Sequence, residues 1–284
     1  MMRYYMLNGT LTPIDQAVVP VSDLGLLRGY AIFDYLLARQ GRPMFIDDYL
    51  TRLLRSAQLL HINLPFSQEV LHQQVKELIA ANDIREAGIR FLVTGGASLD
   101  GYTPSSTPTV AILAHPMPPF DPVTYERGLK LLLHRYQRDI PEVKTTNYLI
   151  GIHALPRLKA AGAAEILYHD GTHIFETTRS NFFLVKRDGT IITPAKGVLQ
   201  GITRKHVITL AREEFEIVLR PLAIEELHQA SEAFITSTIK RIAPVVQIDD
   251  IPIGNGQPGP VARHLLQKLV ALEQAYLEAL THSS

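Results

Sequence analysis

The sequence predicts a two-domain protein of the α+β / α/β class, with strands and helices in each domain. Three observations predict it. Strand-like apolar runs and helix-period runs are interleaved along the whole chain. Turn dipeptides such as Asn8-Gly9, Asp170-Gly171 and Asp188-Gly189 punctuate the strands. A cluster of prolines, Pro116, Pro118, Pro119 and Pro122, cannot continue a helix and favours extended backbone. The expected division is a smaller domain over 1–115, a linker over 116–123 and a larger domain over 124–284.

Arg3 to Leu7 reads as a strand entering a tight hairpin, because Asn8-Gly9 readily takes positive φ angles. Val18 to Val21 leads into Ser22–Tyr30, which Gly25 and Gly29 mark as a loop. Ala31 to Arg39 is a strand closed by Gln40-Gly41, after which the chain returns through Pro43 to Ile46. From Asp47, Leu50, Leu53, Leu54, Ala57 and Leu60 recur at helical spacing. A second helix runs from Ser67, a capping residue, to Ala81. Strands follow at Ile89–Thr94 and Thr109–Ala114.

Beyond the linker, Leu129–Tyr136 is a strand and Asn147–Ala161 a helix that Asn147 caps and Pro156 kinks. Strands are expected at Glu165–Tyr168, Phe182–Val185, Ile217–Leu219, Ala233–Thr236 and Val245–Ile248. Helices are expected at Thr203–Phe215 and Val261–Leu280.

Of 284 residues, 46% are hydrophobic and 20% charged, ample for a buried core. Lys and Arg number 28, as do Asp and Glu. That balance removes the electrostatic case for nucleic acid or an anionic membrane as partner. There is no cysteine, so thiolate chemistry and disulfides are excluded. The first residues lack the apolar core of a signal peptide and no run approaches a membrane span, so a cytoplasmic protein is expected.

The functional reading centres on Lys144, in Val143-Lys-Thr-Thr-Asn-Tyr148 at a loop-to-helix junction. Glu176-Thr-Thr-Arg-Ser-Asn181 then precedes the run Phe182–Val185, and Leu199-Gln-Gly-Ile-Thr-Arg204 opens a helix. An amine for an imine, a carboxylate for a pyridine nitrogen and a glycine-bearing helix start for a phosphate are what pyridoxal 5'-phosphate requires. Lys-x-x-Asn-Tyr-Leu, Glu-x-x-x-Ser-Asn-Phe-Phe, Leu-x-Gly-Ile-Thr-Arg and Ser237-Thr238, in this order, resemble the class IV aminotransferases. These are the fold type IV pyridoxal phosphate enzymes, and the resemblance is nearest to D-amino acid aminotransferase.

The resemblance implies that Lys144 is catalytic and carries the Schiff base, while Glu176 keeps the ring nitrogen protonated. Arg52, Ile202, Thr203, Ser237 and Thr238 would hold the phosphate, Leu199 would pack on the ring, and Tyr148 would reach its phenolic oxygen. It implies a homodimer and ping-pong transfer between an amino donor and a 2-oxo acid. Classical D-amino acid relatives bind the substrate carboxylate with an arginine and a histidine after the strand matching Ile89–Thr94. Here Thr94-Gly95-Gly96-Ala97 and Tyr102 stand there instead. Arg28 and Arg179 are the candidate replacements, with Lys240 and Arg241 next, and Tyr30 and Phe33 complete the substrate-binding set. Donors such as D-alanine and D-glutamate are the first expectation. The alternatives are branched-chain L-amino acids, (R)-amines, an aminodeoxychorismate lyase, or a cofactor-binding relative without turnover.

Two patterns carry no function. Gly254-Asn-Gly-Gln-Pro-Gly259 matches a dinucleotide fingerprint, but no βαβ unit can be built around it, so a tight turn is expected. His169 and His173 straddle a turn, so no metal site is expected.

Overall fold

The computed structural model describes residues 2–117 and 119–282. The chain divides into two compact units. One comprises Met1–Pro119, Val143–Asn147 and Glu273–Ser284; the other comprises Phe120–Glu142 and Tyr148–Leu272. The chain thus leaves the first unit within the proline-rich stretch, of which Pro118 lies outside the described residues.

The expected division 1–115 and 124–284 is corrected in two places, for reasons visible in the first unit. Val143 is fully buried there, Phe33 N donates to Lys144 O at 2.9 Å and Thr146 N to Ala31 O at 3.1 Å. Lys144, Thr145 and Thr146 of the later sequence are therefore main-chain partners of an earlier strand. Near the C-terminus, Glu273 pairs with Arg39 at 3.1 Å, Tyr276 packs 4.4 Å from the Phe45 ring, and Leu280 O accepts from Arg42.

The first unit is a six-stranded sheet carrying helices on one face. Its strands are β1 (Tyr4–Leu7), β2 (Thr10–Pro13), β3 (Ala31–Arg39), β4 (Arg42–Pro43), β5 (Glu86–Thr94) and β6 (Val110–His115), in the order β2-β1-β6-β5-β3-β4. Its helices are α1 (Leu24–Arg28), α2 (Ile46–Leu59) and α3 (Gln68–Ala81). Both hairpins form at the expected dipeptides. Asn8 and Gly9 have φ of 50° and 83°, Gln40 and Gly41 of 52° and 75°, the positive values that two-residue turns between twisted strands need. Alternation along the strands sends Ile32, Leu36, Ile89, Phe91, Val93 and Ile112 to the face that α2 and α3 cover with Leu50, Leu53, Leu71 and Val75. On the other face, register sets Phe33 beside Leu92 and Tyr35 beside Arg90.

The Ser22–Tyr30 stretch, expected as a loop, contains α1. Its cause is Asp23, which is buried and accepts from Gly25 N at 2.7 Å and from the hydroxyls of Thr94 and Thr109 at 2.7 Å each. A single cap with tertiary partners sustains a helix too short to have a periodicity. Gly29, with φ of 66°, then ends it.

The second unit contains α4 (Val123–Arg127), β7 (Leu129–Arg135), α5 (Leu149–His153), α6 (Leu155–Ala161), β8 (Glu165–His169), β9 (His173–Thr177), β10 (Asn181–Lys186), β11 (Ile191–Thr193), α7 (Ile202–Ala211), β12 (Ile217–Leu219), β13 (Leu222–Ala223), β14 (Ala230–Ser237), β15 (Arg241–Ile248) and β16 (Ile251–Pro252). The last helix, α8 (Pro260–His282), begins here and ends in the first unit. Strands run in the order β12-β11-β10-β14-β15-β7-β8-β9-β13, with β16 on β15. An additional pairing of β9 with β10, at Asn181 and Glu176, closes β10-β14-β15-β7-β8-β9 into a ring.

Side-chain alternation separates two cores. Phe182, Leu184, Ile235 and Val245 join Leu131 and Leu167 in one, while Phe183, Val185, Phe234 and Ile242 pack under α7 and α8. The Phe183 and Phe234 rings stack at 4.8 Å. The helix expected from Asn147 begins at Leu149, with Tyr148 at its cap, and breaks at Ala154, two residues before Pro156. The helix expected from Thr203 to Phe215 ends at Ala211. Gly254–Gly259 is a turn, as expected. Gly254 has φ of 57° and packs on Ser231 O, and α8 is capped by buried Glu232, which accepts from Val261 N and Ala262 N at 3.0 Å each. Among the described residues, no helix is long and apolar enough to cross a membrane.

Candidate active site

Lys144 belongs to the first unit, where the segment around it is tied to the start of β3 and Thr145 bridges Ile32. Its Nζ lies 4.6 Å from the centre of the Phe33 ring. The Arg90 guanidinium lies 5.6 Å from the same ring and 5.8 Å from that of Tyr35. Both cations meet an aromatic face at distances where the ring quadrupole attracts them. No sequence motif marks Arg90, and only the register of β3 against β5 brings it beside Phe33.

The other first-unit candidates divide. Arg28, at the end of α1, is exposed, with a 3.3 Å bond to Leu27 O. Tyr30 donates its hydroxyl to Leu60 O, and its ring leaves no room for a Cβ at Gly95, so its polar group is engaged in the fold. Arg52 holds Asp34 with two bonds, Nε to Oδ2 at 2.9 Å and Nη2 to Oδ1 at 2.6 Å. Asp34 is fully buried, so this pair is structural, and an anion on Arg52 must share the guanidinium with it.

In the second unit, Glu176 sits buried on β9. Its Oε1 accepts from Arg138 Nε at 2.9 Å and Nη2 at 2.7 Å; its Oε2 accepts from Leu199 N at 3.0 Å and Asn181 Nδ2 at 3.1 Å. The Asn181 amide also donates to Leu199 O at 2.8 Å. N–H donors on both oxygens favour the ionised carboxylate. Gly201 completes the arrangement, because a Cβ there would lie 2.1 Å from Asn181 Oδ1.

Gly201 is also the cap residue of α7, and no side chain caps that helix, so Ile202 and Thr203 begin a helix with no side-chain acceptor at its cap. Two buried hydroxyls, Ser180 Oγ and Thr236 Oγ1, have no hydrogen-bond partner among the described residues. Ser237 Oγ accepts from Lys240 N at 3.2 Å, and Thr238 follows it in the turn to β15. Arg204 is buried against Gln200 Oε1 at 2.7 Å and Pro194 O at 2.9 Å.

A second buried carboxylate, Glu165 on β8, faces two cations. Lys240 Nζ lies 2.6 Å and Arg179 Nη2 3.4 Å from its Oε1, and Thr177 donates its hydroxyl to Oε2. Burial pushes the Glu165 carboxyl up, but Lys240, Arg179 and the hydrogen bonds outweigh it and hold it below its ordinary value. Burial pushes the Tyr148 phenol up to about 12, with Arg138 and Arg179 opposing and Glu176 and Glu165 adding. Tyr148 therefore senses both carboxylate clusters and keeps its proton.

Sequence reasoning missed Arg138, Glu165, Asp34 and Arg90. The only local signal was a charged type next to apolar residues, which describes many surface positions equally well. His173 faces Asp170 at 3.6 Å across its turn, and among the described residues no group of histidines and carboxylates could hold a metal.

The model of the amino-transferase class IV family matches residues 31–248. A protein of Methanocaldococcus jannaschii, provisionally named branched-chain-amino-acid aminotransferase, is 36% identical over 94% of this chain and 95% of its own. The D-alanine aminotransferase of Staphylococcus haemolyticus is 30% identical over 93% and 95%. Among solved structures, the T.th. branched-chain amino acid aminotransferase with pyridoxamine 5'-phosphate superposes with a TM-score of 0.85 at 27% identity, over 100% of this chain and 96% of that one. The two-domain architecture expected from the sequence is the one these relatives share.

Proposed function

This chain belongs to the class IV aminotransferases, transaminases that work through pyridoxal 5'-phosphate, and on that premise we propose that it moves amino groups between an α-amino acid and a dicarboxylic 2-oxo acid such as 2-oxoglutarate. The cofactor, when bound, supplies an aldehyde for the amino group and a protonated ring that draws electrons from the substrate Cα. Lys144 provides the amine that holds it and, once released, moves the proton at Cα. Glu176, kept ionised by Arg138, Leu199 and Asn181, holds the proton on the ring nitrogen, sharing its acceptor sites with those groups. The uncapped start of α7 at Ile202 and Thr203, with Ser237 and Thr238, suits a phosphate. Tyr148, still protonated at neutral pH, can donate to the phenolic oxygen.

The observation that carries the dicarboxylate is the charge at Glu165. Two cations face one carboxylate, and Arg179 is mostly exposed, so positive charge is left for a second acid group. For the donor, the relatives weigh toward branched-chain L-amino acids, with 36% identity against 30% for a D-alanine aminotransferase. D-amino acids, the sequence expectation, remain the second reading, favoured by the exposed Arg28 and Arg179 where classical relatives use another arginine. Half-reactions of the holoenzyme with L-leucine, D- and L-alanine and D- and L-glutamate decide between them. Rapid conversion of L-leucine and L-glutamate without the D-acids supports the first, and conversion of the D-acids supports the second. Failure of both glutamate enantiomers would reject the dicarboxylate. A cytoplasmic homodimer completes the reading, and light scattering on the purified protein checks the dimer.

A further inference from the structure

The two cations at Glu165 are unequal partners. The Glu165 side chain is 2% exposed, and a carboxylate so buried requires a close cation, since leaving one unpaired costs several kcal/mol. Lys240 meets that need at 2.6 Å with 15% of its side chain exposed; Arg179 stands off at 3.4 Å with 62% exposed. Lys240 is also fixed by its backbone. Its N–H donates to Ser237 Oγ at 3.2 Å and its carbonyl accepts from Tyr125 Oη at 3.0 Å. Arg179 sits in the short turn between β9 and β10, where its backbone N–H, at 3.4 Å from Glu165 Oε2, adds a second, long tie. One cation is immobilised on the carboxylate and the other is held loosely beside it.

We propose that Lys240 is a positioning residue that neutralises Glu165, leaving the Arg179 guanidinium to bind the distal carboxylate of a dicarboxylic substrate. This rests on the dicarboxylate reading above and replaces the expectation that Lys240 itself touches substrate. Without Lys240, Arg179 is the nearest cation to a buried anion. The stronger low-dielectric attraction pulls it inward, and its charge is lost to the ligand. Lys240 then governs substrate affinity without contacting substrate.

The test measures calorimetric affinity of the holoenzyme for glutarate, an unreactive dicarboxylate, with butyrate as the single-carboxylate control. Arg179→Ala should weaken glutarate roughly 10- to 150-fold, the range for one charge-assisted hydrogen bond, and leave butyrate unchanged. Lys240→Met should weaken glutarate by about tenfold or more, again sparing butyrate. Glu165→Gln combined with Lys240→Met should return glutarate affinity to within about threefold of the parent, because the competing anion is gone. A double variant as weak as Lys240→Met means direct contact by Lys240 and overturns the proposal. Normal glutarate binding by Lys240→Met, alongside weakened binding by Arg179→Ala, overturns it as well. Should Lys240→Met not fold, the double variant, which buries no charge, decides alone: parent-like affinity supports the proposal and weak affinity rejects it. If Arg179→Ala binds glutarate at parent strength, the dicarboxylate reading itself has failed.

Discussion

Arg138 grips one oxygen of Glu176 with two N–H groups, at 2.9 and 2.7 Å, while the other oxygen accepts from Leu199 and Asn181. The carboxylate is thus held ionised and aimed from both sides. Glu176→Gln should keep cofactor bound yet slow turnover by orders of magnitude, since an amide cannot hold a proton on the ring nitrogen. Arg138→Met should destabilise the fold by about 3 to 5 kcal/mol in denaturant titrations, the cost of breaking a buried pair. Parent turnover in a cofactor-saturated Glu176→Gln variant would reject the role.

Lys144 is anchored through its backbone to β3 and faces the Phe33 ring. Borohydride reduction of the yellow holoenzyme, followed by peptide mass mapping, should place the pyridoxyl group on Lys144. Labelling at another lysine would sink the assignment.

Arg52 distinguishes a structural role from a ligand role by when its loss is felt. Because it pairs with fully buried Asp34, Arg52→Met should lower the stability of the cofactor-free protein by about 3 to 5 kcal/mol. Asp34→Asn should do the same with cofactor affinity less affected. An apoprotein of parent stability in Arg52→Met would show that the arginine matters only to bound phosphate.

Acid should expose the Glu165 cluster. The Glu165 carboxyl is held below its unfolded value, so its contribution to stability is complete above that value and is lost as pH falls through the lower folded one. Thermal melts of the parent should therefore decline with acid more steeply than those of the Glu165→Gln, Lys240→Met double variant, which lacks the titrating group. Parallel declines would assign the acid sensitivity to other carboxylates, among them Glu226, which Arg220 also holds low.

Periodicity and turn chemistry by themselves determined much of this protein. A nearly continuous apolar run set β3, helical spacing set α2 and α3, and the Asn8-Gly9 and Gln40-Gly41 dipeptides set the hairpins, because these are decided within a few residues of chain. The motifs around Lys144, Glu176 and Gly201 likewise identified the family, since their residue types and order suffice for the resemblance. Tertiary structure decided what each charge does. Arg52 and Asp34 are 18 residues apart, Arg138 and Glu176 are 38, and Lys240 and Glu165 are 75. No spacing rule relates such positions. Helix α1 belongs to the same class: its cap, Asp23, draws on hydroxyls 71 and 86 residues away, so the sequence around it reads as loop. Local propensity acts over a turn of backbone, whereas a buried charge takes whichever partner the packed sheet brings within hydrogen-bond reach.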